Sequence, residues 1–453
     1  MSSGTASAFD WTTHPEAEAL VRDALEDACR RSPALAAFAE RLAAATSTHL
    51  LDWADHLAAP VPEGDLAAAG FVPSEAPGGP WRHPGAQLPA VVPCSRTDAV
   101  AVRVDDAAAF AAVQAARGPV LGAPLSELRL VDVFEDRGVR LVGAERRSWS
   151  GGVEPAARSA VEVAASVEAR DWWARRDRHA EGAEGMGRAV EAAARMVGLV
   201  GTDLATAYAM EGERGYWQRR NRAGQLQHAR QERVGMGWGN QDHHTFRSSR
   251  AAFAELMAFF RTLGFAARER FYAGEEAGWG AQVLEQPGAG VVVFADVDLD
   301  PAEHDLDFAA APLPPSERMS TVGVWCALHG ESLLAAGMHH LEGQFDFDRL
   351  QDDLGRDGVG FMAPFSDMAH LRQCFTQAEM WPVEPARVEA LVAAGHLAAD
   401  RAEAFLQGGA PGSHLENLAR GGGFKGFNQH NVSKTMRATD PRRYRAPAPA
   451  GAS

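Results

Sequence analysis

Histidines, carboxylates and arginines set on neighbouring strands can hold a divalent metal beside an anionic substrate. The segment GNQDHHTFRSSR, Gly239–Arg250, offers the first such group, with Asp242, His243, His244 and Arg247. On a strand, residues two apart share a face, so His243, Thr245 and Arg247 point one way and His244 and Phe246 the other. Phe246 marks its own side as packed, which leaves His243 and Arg247 on the open surface. Taken alone, the segment also fits a half-exposed polar strand end. Further along, GMHHLEGQFDFD supplies His339 and His340, and LRQCFTQAEMWPV supplies Gln377 and Glu379 on one strand face. Two imidazoles and a carboxylate from separate strands form the facial triad that leaves open positions on Fe(II) for substrate and O2. Zinc or manganese takes similar ligands, and His329 in CALHGES competes for the second position.

Several elements must position these residues. Apolar residues recur at helical spacing from Pro15 to about Leu57, with a break at Ser32–Pro33, which predicts two amphipathic helices. A Pro/Gly-rich loop follows. The chain then reads strand, alanine-rich helix and two strands joined near Asp136–Gly138. Residues 154–238 are mostly helical in pattern, and Trp172, Trp173, Arg175 and Arg176 read as a packing face with solvated arginines. After them, DHHTFRSS reads as a strand and RAAFAELMAFFRTLGF as an amphipathic helix; AQVLEQ and GVVVFADVDL are again strands. A third unit of the same order, with VGVWCAL as its first strand, runs to about residue 400.

The chain is long enough for two or three domains, at 453 residues with 46% hydrophobic and 23% charged. Its net charge of −16 opposes nucleic acid and anionic lipid as partners. Four scattered cysteines, Cys29, Cys94, Cys326 and Cys374, suggest neither a disulfide framework nor a thiolate zinc site. No signal peptide and no membrane-spanning run is read, so the expected location is the cytoplasm. GGGFKGFNQHNVSKT lacks the spacing of a phosphate-binding loop.

Three stretches, DHHTFRSSRAAFAELMAFFRTLGF, MHHLEGQFDFDRL and GFKGFNQHNVS, resemble the DUF1338 family of 2-oxoadipate dioxygenase/decarboxylases. That family is built on vicinal-oxygen-chelate β-α-β-β-β modules. The resemblance spans roughly residues 239–433 and implies an α+β fold, with tandem modules forming a curved mixed sheet around a metal site and added N- and C-terminal helices. The pattern along the chain divides it into a helical region (1–90), a degenerate module (91–153), a helical insert (154–238), two modules (239–310 and 318–400) and a covering segment (401–453), and the residues before 239 depart from the family, whose first module begins much nearer the N-terminus. The resemblance implies Fe(II) held by His243, His340 and Glu379, with Gln377 standing where the family has its glutamate. Arg247 would clamp a substrate carboxylate, and Asn428 and Gln429 would line the substrate. The implied reaction converts a 2-oxo acid such as 2-oxoadipate and O2 into CO2 and a 2-hydroxy acid one carbon shorter. The same modules also support ring-cleaving dioxygenases, isomerases, lyases and metal-free small-molecule binders.

Overall fold

The computed structural model describes residues 11–74, 79–95, 99–116, 118–275, 277–303, 306–428 and 440–443. Helices at Pro15–Arg31 and Pro33–Thr46 match the predicted pair. Pro33 occupies the first turn of the second helix, and the Ser32 hydroxyl accepts from Leu35 N, so one residue ends the first helix and starts the next.

Two sheets follow. The first contains β1 (Ala54–Ala59), β2 (Val72–Pro73), β3 (Trp81–Arg82), β4 (Ala90–Pro93), β5 (Ala99–Arg103), β6 (Leu128–Asp136) and β7 (Val139–Arg146), in the order β2-β3-β4-β1-β5-β7-β6. The β6–β7 turn is carried by Arg137 and Gly138, both at positive φ, the geometry that matches the twist of a tight hairpin. Strand β1 lies within the stretch expected to be helical, because the second helix stops at Thr46 and the chain re-enters the sheet between β4 and β5.

The second sheet is built from β8 (Gln241–Arg247), β9 (Ala266–Tyr272), β10 (Trp279–Gln286), β11 (Val291–Asp298), β12 (His340–Gln344), β13 (Ser366–Met368), β14 (Leu371–Phe375), β15 (Glu379–Trp381) and β16 (Ala410–Arg420). Its order is β13-β14-β16-β12-β8-β11-β10-β9, with β15 paired to β16. The fold is therefore α+β, with a mixed sheet that curls into a half-barrel. Each half is a strand, a helix (Phe253–Thr262 or Phe347–Arg356) and further strands, and the first strands of the two halves, β8 and β12, meet antiparallel at the centre.

The back of this sheet carries the largest core. Phe246 on β8, Leu341 on β12 and Leu415 on β16 pack with Phe253, Phe259 and Phe260 and with Trp173, Met196 and Tyr208 from the helices before β8. Each fully buried side chain of this size contributes about 1.5–3 kcal/mol. These helices are Ala160–Ala174 and Gly182–Gln218, the latter interrupted at Gly201 by a positive φ. Arg176 is not a solvated arginine: with Arg178 and the Trp173 indole it converges on one oxygen of the fully buried Glu213, at 2.6, 2.8 and 3.0 Å.

Two other elements depart from the sequence reading. VGVWCAL lies in a helix, Thr321–His329, buried on nearly every side, so its apolar run has no face period to distinguish it from a strand. Strand β16 falls in the range expected to cover the fold from outside, yet it lies between β14 and β12.

Candidate metal centre

Strands β8, β12 and β16 lie side by side, and their inward side chains build the site. In the antiparallel β8–β12 register Thr245 stands opposite His340. In the parallel β12–β16 register His340 stands beside His414, Leu341 beside Leu415 and Glu342 beside Glu416. The tripeptide His-Leu-Glu thus occurs twice and stacks on itself. Each leucine goes to the core behind the sheet, and each glutamate faces the same side as His243.

His243, His340, Glu342 and Glu416 are all buried, and one ligand atom from each falls within 4.8 Å of the others. Glu342 Oε1 lies 2.8 Å from His243 Nε2 and also touches His340 Nε2. Glu416 Oε2 is 3.5 Å from His340 Nε2 and 4.0 Å from His243 Nε2.

Outer partners hold these groups in position. Asp242 Oδ1 is 3.1 Å from His243 Nδ1. Asp242 is itself fixed by two 3.0 Å bonds from Arg420 and a 3.2 Å bond from Gln344. Burial alone would raise the Asp242 pKa, but Arg420 and His243 outweigh it and hold the group well below the usual carboxylate range. An ionised Asp242 accepts, so His243 Nδ1 keeps the proton and Nε2 presents its lone pair to the site. Gln373 donates to Glu416 Oε1 at 2.9 Å, leaving Oε2 turned toward the histidines. On the far side of His340, its Nδ1 lies 2.6 Å from His339 Nδ1.

Burial pulls His243 down to about 4, and it pulls His340 well below its ordinary value. It also pushes Glu416 up to about 8 and, reinforced by the Glu416 carboxylate, raises Glu342 well above the carboxylate range. Two touching carboxyl groups shut away from water, with two neutral imidazoles, favour a cation among them. Glu342 Oε2 is buried without a hydrogen-bond partner. Ligands at right angles on an ion with bonds of about 2.1 Å stand about 3 Å apart, which the 2.8 and 3.5 Å separations bracket. The donor set therefore fits a divalent ion.

Arg247 lies two residues beyond Thr245 and is buried, with Nε and Nη1 lacking hydrogen-bond partners. Its nearest carboxylate is Asp296, 3.5 Å from Nε, and it stands 5.4 Å from the Trp325 ring. Asp296, directly across the β8–β11 register, is pushed up to about 7 by burial against the pull of Arg247. Phe294 and Phe427 close on His243, with ring centroids 4.7 and 4.6 Å away. Asn428, next to Phe427, donates to Phe365 O at 2.7 Å, while Gln429 lies outside the described residues.

Glu379 is not brought to this group. The chain leaves the sheet after Phe375, and β15 rejoins β16 at Ser413 rather than at Glu416. There Glu379 Oε2 accepts from Arg222 N at 2.9 Å. Gln377 is exposed, and its backbone N–H donates to Gly360 O at 2.8 Å. Residues 376–378 do not continue a strand, so the alternation that paired Gln377 with Glu379 has no sheet face to act on. His329, the other candidate second ligand, is 3.1 Å from Pro411 O through Nε2 and lies outside the four-residue group. The missed carboxylates are Glu342 and Glu416, and the repeated His-Leu-Glu was the signal that could have found them.

No family model matches the chain, and no curated protein does. Solved structures that it matches include a 4-hydroxymandelate synthase mutant from Streptomyces coelicolor, at 14% identity and TM-score 0.30, covering 88% of this chain and 100% of that one. They also include YdcJ from Shigella flexneri, which includes a DUF1338 domain, at 12% identity, TM-score 0.25 and coverage of 56% and 73%. A methylmalonyl-CoA epimerase from Mycobacterium tuberculosis matches at 14% identity, TM-score 0.23 and coverage of 40% and 87%. With TM-scores of this size, the chemistry has to be read from the side chains of this chain.

Proposed function

We propose that the chain is a non-haem Fe(II)-dependent dioxygenase that decarboxylates a 2-oxo acid, with His243, His340 and Glu416 as the metal ligands and Glu342 as a buried carboxyl beside them, so that positions stay open for substrate and O2. The observation that carries this reading is the group of two imidazole nitrogens and two buried carboxylates from three adjacent strands. Glu416 replaces Glu379 as the third ligand because it shares the inward face with the histidines.

Bound iron would supply the coordination sites at which a 2-oxo acid chelates and O2 is reduced. The protein's own residues account for the remaining requirements. Asp242 keeps the proton on His243 Nδ1, and Gln373 orients Glu416. Arg247, beside Asp296, has two guanidinium donors, Nε and Nη1, without a hydrogen-bond partner, and it lies on the same face of β8 as His243. A buried Arg suits a carboxylate, which it binds through a planar fork of donors. Phe294, Phe375 and Phe427 line the histidines and exclude water, which protects a reactive centre from side reactions. The substrate would be a small anionic 2-oxo acid of the 2-oxoadipate kind, giving CO2 and a shortened 2-hydroxy acid.

The test is anaerobic Fe(II) loading followed by O2 uptake against 2-oxo acids of increasing length. Equal amounts of O2 consumed and CO2 released support the proposal. Tight metal binding with no O2 consumption on any 2-oxo acid points instead to non-oxidative metal chemistry.

A further inference from the structure

Behind the metal-bearing strand, between the first sheet and the helix Gly182–Gln218, lies a cavity of about 530 Å³. Six arginines and four carboxylates line it, and Pro124, Leu125, Ala207 and Val291 give it an apolar wall. The carboxylates are all committed. Asp105 accepts from Trp238 N at 2.7 Å, and Asp106 caps the helix Ala107–Val113 through Ala108 N and Ala109 N. Glu145 accepts from Ala107 N, Arg129 and Arg147 at 2.8, 2.7 and 2.6 Å. Glu211 accepts from Arg170 at 2.5 Å. Arg146 is held by Asp55 through bonds of 2.7 to 3.0 Å.

Two of the six arginines remain. Among the described residues Arg103, at the end of β5, has one carboxylate within 4.0 Å, Asp55 at 3.9 Å, which Arg146 already occupies. Arg214, on the long helix, has no carboxylate within 4.0 Å among the described residues. Its Nη1 lies 3.4 Å from Nε2 of His244. Both arginines belong to the wall of the same cavity. Arginines outnumber carboxylates around the cavity by one, six against Asp105, Asp106, Glu145, Glu211 and Asp55, and two planar guanidinium forks with no carboxylate hydrogen-bonded to them, beside an apolar wall, suit a small organic anion with several acceptor oxygens.

We propose that this cavity is a second ligand site, distinct from the metal centre, which binds a small organic dianion through Arg103 and Arg214. The ligand class is a phosphate monoester or a dicarboxylate of a size the cavity holds, with its carbon skeleton against Leu125 and Val291. The site does not depend on the metal chemistry proposed above, since none of its residues belongs to the four-residue group at the front of the sheet.

The test is calorimetric titration of the metal-loaded protein with phenyl phosphate, glutarate and inorganic phosphate, repeated on R103Q, R214Q and the surface control R188Q. The expected result is one dianion bound at this site per chain, weakened about tenfold or more in both R103Q and R214Q and unchanged in R188Q, whose exposed side chain is not part of the cavity wall. Preference for phenyl phosphate or for glutarate decides the headgroup. Should R214Q fail to fold, R103Q alone carries the reading. Binding by none of the probes, binding equal to wild type in the folded cavity variants, or binding weakened as much in R188Q overturns the proposal.

Discussion

At the scale of single residues, the account turns on which atoms the outer partners leave free. Asp242 is positioned to fix the tautomer of His243, and outer-shell partners of metal ligands are typically worth 10–100-fold in affinity. D242N is therefore expected to weaken Fe(II) binding by about that factor, measured by competition with a chromophoric chelator. Arg247 should behave differently. R247Q is expected to retain metal and raise KM for a 2-oxo acid by tenfold or more, and unchanged KM would remove Arg247 from the substrate site. That His243 and Arg247 share a face could be read from the sequence because alternation along a strand assigns faces without knowledge of neighbouring strands, whereas the choice of His340 over His339 came from the family resemblance. Glu416 was not legible in that way. Its relation to His340 arises only when two strands more than seventy residues apart pair in parallel, and the repeated His-Leu-Glu is the one local trace of that pairing.

At the scale of elements, packing and chemistry separate by strand face. Phe246 lies on the back of β8, in the core with Phe260, while His243 and Arg247 take the front. F246A should cost about 3–5 kcal/mol in chemical denaturation, with the folded fraction still binding metal. Loss of metal from fully folded F246A would mean that the two faces are coupled. In the first sheet, Asp55 on β1 and Arg146 on β7 form a buried pair across β5. Burial would raise the Asp55 pKa, but Arg146 and His56 outweigh it and hold it well below the carboxylate range. A depressed folded pKa gives stability that is fully present above the unfolded carboxyl value of about 3.9 and is lost as pH falls below it. D55N should destabilise by about 3–5 kcal/mol at neutral pH, because Arg146 is left buried without its counter-ion, and should flatten the acid limb of a pH–stability curve. An unchanged acid limb would show that the pair does not set it. The helix Thr321–His329 illustrates what patterning cannot resolve: a segment buried all round has no period, so its β-branched and aromatic content reads as a strand.

At the scale of the whole molecule, the metal face belongs to the C-terminal half and its back is packed by helices that precede it. The first unit of the second sheet was legible because its opening strand is followed by a short amphipathic helix; the next was placed too early, at VGVWCAL, whereas its first strand is β12. The closure of the sheet was not legible, because β16 follows two helices at Pro385–Ala393 and Ala399–Gly408 and returns to the middle of the sheet. No helix among the described residues is long and apolar enough to cross a membrane. The most direct test of the central claim is anaerobic Fe(II) titration of the wild-type protein beside E416Q and E379Q. One ion per chain in wild type and E379Q, with binding weakened at least a hundredfold in folded E416Q, is the predicted result. No stoichiometric ion in wild type, or retention by E416Q with loss in E379Q, would contradict the account.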